Sequence, residues 1–361
     1  SDSGSSISLD GIDSVTGKSK HSGSTTTNYN FHTLRVYDYD TYVRMYSADT
    51  LKNAKGDPGT PQSGFVLNPT SVDVAGSYRP SNSGIIFLFG AWLYAAFFGL
   101  QYPWFLTGLS LVAIISFIDD IHSLPDSIRL VVQFIAMFLM FQQFGILNWE
   151  SWWIILIALI VCVGVSNAYN FMDGINGITG GYSLAIMLPL IFINAKTSFI
   201  DPNFLYVASL SLLVFCFFNF RKKAKCFAGD VGSLSIAFIV IFALGRLILQ
   251  TGDFTYILFL ALYGVDSVLT ICHRILLHEN LGQAHRKHAY QLMANELRIP
   301  HVVVSSIYMV IQLAISFGLI LLPINHWICA IVVLLLLTFA YLLFMRKYYP
   351  LHEAYLKSKQ A

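Results

Sequence analysis

Charge is scarce in this chain. Lys, Arg, Asp and Glu make up 12% of its 361 residues, while 55% are hydrophobic. Soluble domains carry about 25% charged residues, so this balance excludes an ordinary soluble globular protein and points to a membrane protein. The net charge of +2 gives no footing for a nucleic-acid partner, and none is expected. CxxC pairs are missing: Cys162, Cys216, Cys226, Cys272 and Cys329 stand apart, four of them in apolar runs that suit small buried hydrophobes. Neither a disulfide framework nor a zinc site is expected. The opening SDSGSSISLDGIDSVTGK has no basic start and no apolar core, so no cleavable signal peptide is expected. Residues 1–83 also lack any membrane-length apolar run. They are rich in Ser, Thr, Gly, Asp and Tyr; TLRVYDYDTYVRMY alternates weakly, like a strand, and GDPGTPQSG is turn chemistry.

Apolar runs begin at Gly84. Spans are placed at 84–100, 102–118, 128–147, 152–168, 178–194, 204–220, 231–249, 254–276, 301–322 and 326–345, several near the lower limit of about 17 residues for crossing the hydrocarbon. The expected fold is therefore an all-α polytopic membrane protein of about ten transmembrane helices. It is expected to divide into a polar, irregular or weakly β segment (1–83), a membrane domain (84–346) and a basic tail (347–361). Lys and Arg set the orientation. Arg129 follows the second span; Arg221, Lys222, Lys223 and Lys225 follow the sixth; Arg274, Arg286, Lys287 and Arg298 follow the eighth; Arg346, Lys347, Lys357 and Lys359 follow the tenth. The intervening loops hold Lys196 alone. Loops after even-numbered spans thus face the cytoplasm.

The same parity sorts the unusual polar residues. Asp119 and Asp120 end the second span in SFIDDIHSLPD. Asn167, Asn170, Asp173 and Asn176 end the fourth in NAYNFMDGING. Asn219, Lys225 and Asp230 lie in FNFRKKAKCFAGDVGS, and HRILLHENLGQAHRKHAYQ follows the eighth. Each cluster has a plainer explanation alone: interface carboxylates, a turn, a topogenic basic group, a helix cap. Four on one face describe a site. Carboxylates with Asn oxygens suit Mg²⁺, which takes one or two carboxylates together with substrate phosphates. Glycines allow close backbone approach, Ser233 opens a helix whose N-terminus favours phosphate, and basic residues complete an anion site. The combination fits metal-assisted phosphoryl transfer. Asp266 lies inside the eighth span about two turns from Arg274; a charge there costs at least about 2–3 kcal/mol, which marks it as functional.

These motifs resemble the polyprenyl-phosphate N-acetylhexosamine-1-phosphate transferase family, integral membrane enzymes that start lipid-linked glycan assembly. The resemblance runs from about Gly84 to the C-terminus. The aspartate pair is similar to Asp119 and Asp120; NxxNxxDGxDG to Asn167, Asn170, Asp173 and Gly174, with Asn176 where many members have Asp. AKxFxGDxGS is similar to Ala224, Lys225, Phe227, Gly229, Asp230, Gly232 and Ser233, and a late aspartate and arginine to Asp266 and Arg274. The resemblance implies Asp230 as a Mg²⁺ ligand (Mn²⁺ as substitute) with Asn170 as a second contact. It implies Asp119, Asp120 and Asp266 in catalysis, and Asn167, Asp173, Asn176, Asn219, Lys225, Arg274, Arg286 and His288 in substrate binding.

The family's histidine run reads AHRKHAYQ here, keeping His288 with Arg286 before it while Tyr290 and Gln291 replace the later pair. That variant is similar to the O-antigen branch rather than the muramoyl-pentapeptide branch. The implied activity moves an N-acetylhexosamine-1-phosphate from a UDP-sugar to polyprenyl phosphate at the inner face of the bacterial cytoplasmic membrane, with a homodimer compatible. The family usually has one further span and a Gly-rich segment before the first helix counted here, and YRPSNSG stands at that position. A non-catalytic membrane protein is one alternative. A transporter of anionic sugars is another, though transporters place charges near the bilayer midplane.

Overall fold

The computed structural model describes residues 84–121, 124–150, 152–280 and 286–360. The segment read as irregular or weakly β lies outside them. Among the described residues the chain is helical, with no strand. The helices are α1 (Ile85–Phe98), α2 (Pro103–Ile121), α3 (Asp126–Phe144), α4 (Trp152–Met172), α5 (Ile178–Thr197), α6 (Pro202–Asn219) and α7 (Gly229–Thr251). A 3-10 segment (Phe254–Leu260) then feeds α8 (Ala261–Leu276), followed by α9 (Ala289–Asn295), α10 (His301–Leu321) and α11 (His326–Gln360). Nine helical stretches among the described residues are long and apolar enough to cross a membrane, the 3-10 segment and α8 counting as one.

The remaining expected span, the first, is α1, and it is short: 14 residues, stopped by Gly99 at φ 89°. At 1.5 Å per residue it covers about 21 Å, against about 30 Å of hydrocarbon. Elsewhere the punctuation is ordinary helix chemistry. Pro202 takes the first turn of α6 while Asp201 accepts from the Asn203 N–H at 2.9 Å, and Gly145 and Gly252 close α3 and α7 in the left-handed conformation. Helix α11 runs on through the 346/347 boundary to Gln360, and α9 is a short helix that the apolar pattern does not announce.

The core is built on α5 and α7, of which 78% and 83% are buried, whereas α4 and α11 are 17% buried. Helix α5 packs against α6, α7 and α10, and α7 against α2 and α4. Stacked rings fill the centre: Phe105 on Phe242 at 4.2 Å and Tyr182 on Tyr263 at 3.5 Å between centroids. The break between the 3-10 segment and α8 leaves backbone groups to satisfy inside the bundle. Gln312 of α10 does so, donating to the Leu258 carbonyl at 3.0 Å and accepting from the Leu262 N–H at 3.2 Å and the Tyr182 hydroxyl at 2.8 Å. Because successive helices alternate direction, the C-terminal ends of α2, α4, α6 and α8 gather with the N-terminal ends of α3, α5 and α7. All the polar clusters read from the sequence sit at that end.

Candidate functional site

Helix α2 ends in Asp119 and α3 begins with Asp126 and Arg129, so a tight turn folds the basic residue back over the acid. The Arg129 guanidinium donates through Nη1 to Asp119 Oδ2 at 2.8 Å and to Asp230 Oδ2 at 3.0 Å, and through Nη2 to Asp126. One cation therefore joins carboxylates 111 positions apart in sequence at their nearest atoms. Asp119 also accepts from the Leu124 N–H at 2.7 Å, and Asp120 is half-buried beside it. Asp230 lies in the first turn of α7, where the helix dipole favours an anion. Its second oxygen accepts from Asn170 Nδ2 at 2.8 Å, and the same amide reaches Ser233 Oγ at 3.1 Å. The start of α7 is approached closely by α1. A Cβ on Gly84 would stand 2.2 Å from the Gly232 Cα, and one on Gly232 would stand 2.7 Å from the Gly84 Cα, so only glycine fits at either place.

Asp173 adjoins this cluster. Burial raises its carboxyl to about 6; Thr179 opposes the rise by donating at 2.5 Å, the charge of Asp230 adds to it, and the Gly229 N–H opposes it. A carboxylate poised near neutrality beside a second one is an arrangement suited to taking or holding a proton.

A second group lies around the eighth span. Asp266, 2% exposed, accepts from the Tyr308 hydroxyl at 2.7 Å, the Ala289 N–H at 3.0 Å and Thr270 Oγ1 at 3.2 Å, and pairs with His288 Nδ1 at 3.3 Å. It holds the start of α9 in place. Gln291 accepts from the His288 N–H at 3.3 Å in a capping box. The Tyr290 hydroxyl donates to the Phe171 carbonyl at 2.9 Å and lies 2.2 Å from where a Gly174 Cβ would be. Tyr290 thus docks the start of α9 onto the end of α4 and the loop that carries Asp173, while Gln291 caps α9. Arg274 is buried, donating to Glu279 at 3.3 Å and to the Asn280 carbonyl at 2.6 Å. Lys287 also pairs with Glu279. Burial alone would raise the Glu279 carboxyl, but these hydrogen bonds hold it below its usual range.

The remaining sequence candidates divide. Asn219 is spent on structure: it accepts from the Gly177 N–H at 2.7 Å and donates to the Cys226 carbonyl at 2.7 Å, fixing a turn in which Gly177 has φ 87°. Asn176 donates to the Arg221 and Lys222 carbonyls at 3.2 and 3.4 Å, and Asn167 to Gln133 and the Val163 carbonyl at 2.8 and 2.9 Å. Asn176 and Asn219 thus shape the loops after α4 and α6, and Asn167 ties α4 to α3. The Lys225 and Arg286 side chains are exposed at the same end. Arg129, in sequence only an orientation signal, joins the site in the structure; its spacing of three from Asp126 is the local sign of that role.

For a divalent cation the donor types fit: Asp119 and Asp230 converge on one positive group, with Asn170 against Asp230, and all supply hard oxygen ligands. The guanidinium is the cation between them here. No group of three or more His, Cys, Asp or Glu is poised around a metal position among the described residues.

A bundle of membrane-length helices with an acid, amide and arginine cluster at one end defines a polytopic membrane protein with a polar site at the bilayer boundary. Residues 102–248 match the model of glycosyl transferase family 4, a stretch that runs from α2 into α7 and carries Asp119, Arg129, Asn170, Asp173 and Asp230. Among its relatives, the phospho-N-acetylmuramoyl-pentapeptide-transferase of Thermotoga neapolitana is 30% identical over 177 residues, 44% of this chain and 57% of its own length. That of Thermotoga maritima is 29% identical over 210 residues, 53% and 67% of the two chains. A probable undecaprenyl-phosphate N-acetylglucosaminyl 1-phosphate transferase of Bacillus subtilis is 25% identical over 207 residues, 52% and 57%. The chain thus spans between 57% and 67% of the length of these three.

Proposed function

We propose that this protein transfers an N-acetylhexosamine-1-phosphate from a UDP-sugar to polyprenyl phosphate at the cytosolic face of a bacterial inner membrane. The observation that carries the reading is the convergence of Asp119 and Asp230 on Arg129, with Asn170 bonded to Asp230 and Asp173 adjoining it, at one end of an apolar bundle and within the stretch matched by family 4. A site at the bundle end meets a water-soluble nucleotide and the head group of a lipid carrier at once; a transporter would set its charges near mid-membrane.

Asp230, with Asn170 against it, would hold Mg²⁺ (or Mn²⁺), which when bound supplies charge neutralisation for the sugar diphosphate. Asp119 and Asp120 position the phosphate of the polyprenyl carrier, and one of them takes its proton if it arrives protonated. Asp173, ionised above about pH 6, is a second acceptor for that proton. Arg129, Lys225 and Arg286 offset negative charge on the phosphates. An oxygen of the carrier phosphate forms a bond to the sugar-linked β-phosphorus, the bond from that phosphorus to the bridging oxygen breaks, and UMP departs with the electron pair. Polyprenyl-diphospho-sugar stays in the membrane. Asp266 acts through His288, which it orients. The Tyr290 and Gln291 pair, in place of further histidines, supports an N-acetylhexosamine donor of the O-antigen type over a muramoyl-pentapeptide.

The test is UMP release by the purified protein from a panel of UDP-sugars with undecaprenyl phosphate, with and without chelator. Turnover is expected with a UDP-N-acetylhexosamine, abolished by EDTA and lowered about 10²-fold or more in Asp230→Ala. Turnover that survives EDTA, or that is undiminished in Asp230→Ala, overturns the reading.

A further inference from the structure

Helix α11 outlasts the membrane. About 20 residues cross the hydrocarbon, and α11 has 35. Near the end of that length and past it, the helix carries Tyr341, Met345, Tyr349 and His352, spaced four, four and three apart and so on one face. All four are buried, although 17% of the most apolar stretch of this helix is. What buries them is α8 together with the arm that holds His288. Tyr341, Met345 and Tyr349 pack with Ala289 and Leu292 of α9. The Tyr341 hydroxyl lies 2.8 Å from Thr270 Oγ1, which in turn bonds Asp266. Tyr349 sets its ring 4.6 Å from that of His273 and under Lys287 Nζ at 5.8 Å. His352 Nδ1 meets Glu296 Oε1 at 2.5 Å, with both side chains buried.

We infer that the end of α11, Tyr341 to His352, is a positioning element that holds the 286–296 arm against Asp266 and, through Tyr290, against Gly174 beside Asp173. None of its residues touches reacting atoms. The inference rests on the proposed function in one respect: the arm is taken to contact the UDP-sugar, whereas the carrier phosphate is handled by α2 and α3. Loosening α11 then reduces the fraction of molecules with a competent arm. Apparent affinity falls by that fraction, and it falls for one substrate only.

The experiment compares the full chain with His352→Ala, Tyr349→Ala and His352→Asn, the last keeping a nitrogen donor near the position of Nδ1. Backbone hydrogen exchange is read first. In the two alanine variants protection is expected to drop across 289–296 and to stay unchanged across 231–244 of α7; unchanged exchange at 289–296 overturns the inference whatever the enzyme does. Kinetics are read second. KM for the UDP-sugar is expected to rise about tenfold in the alanine variants, with KM for undecaprenyl phosphate unchanged, and His352→Asn to recover most of the loss. A uniform fall in kcat with both KM values fixed means a purely structural helix and refutes the positioning role. If the parent chain releases no UMP, the proposed function fails, and the exchange result still decides whether α11 secures the arm.

Discussion

Replacing Arg129 with Ala removes the guanidinium seated between Asp119 and Asp230, and the size of the effect follows from the geometry. Two carboxylate oxygens that share a nitrogen at 2.8 and 3.0 Å are at most about 6 Å apart, where like charges repel by about 3 kcal/mol at an effective dielectric of 20. The side chains of Arg129 and Asp230 are 30% and 29% exposed, that of Asp119 11%, so solvent screening reduces the loss to about 1–2 kcal/mol. In a domain of this size that lowers the melting temperature by about 3–6 °C. The dependence on divalent metal makes the prediction specific. Without Arg129 the acid pair awaits another cation, so Mg²⁺ is expected to raise the melting temperature of Arg129→Ala more than that of the parent. The assay is thermal unfolding in detergent at pH 7.5, in EDTA and in 10 mM-scale Mg²⁺ (about 10 mM exceeds a typical millimolar affinity), with Arg129→Lys as the charge-preserving control. Equal melting of parent and Arg129→Ala in EDTA, or an equal response of both to Mg²⁺, refutes the claim that this guanidinium balances the site.

Two further predictions test other parts of the cluster. Asp173 has its folded pKa raised from 3.8 to about 6, so the folded state binds its proton more tightly than the unfolded chain does; stability from this group is fully present below about pH 4 and lost as pH rises through about 6. Asp173→Asn is therefore expected to melt higher than the parent at pH 7.5 and level with it near pH 4, while UMP release by the parent falls as pH drops below about 6; a variant no more stable at pH 7.5 contradicts the assignment. Gly174→Ala is expected to push Tyr290 off its seat, because the new methyl would lie 2.2 Å from its hydroxyl. Activity should fall several-fold and return in part with Tyr290→Phe, whose ring edge leaves about 3.1 Å; no recovery in the double variant means that the docking of this loop is not what was lost.

Much of the architecture can be read from the chain because its signals are local. An apolar run reports a helix in the membrane, and Pro103, Pro202, Gly145 and Gly252 mark where helices start and stop. Parity of crossings places Asp119, Asn170, Asp173 and Asp230 at one end without any knowledge of packing. What escapes is whatever depends on contacts between distant positions. Arg129 reads as a lone basic residue, since nothing near it in sequence reveals Asp230, 101 positions away. Asn219 sits in a motif dense with chemistry, yet two backbone groups of neighbouring loops consume its amide. Asp266 is legible as an intramembrane charge, but its partners Tyr308 and Ala289, 42 and 23 positions on, are not. Helix α11 reads as ending near residue 345 because hydropathy fades there; its continuation is fastened by side-chain contacts to α8 and α9.

The bond set around Gln312 bears on how this protein can move. A change of angle at the junction of the 3-10 segment and α8 would strip partners from Leu258, Leu262 and Tyr182 together, in surroundings where no water replaces them. The middle of the bundle is therefore a stiff frame. Any opening and closing of the site falls to the short connections at the polar end, which work against that frame as a jaw works against a fixed plate.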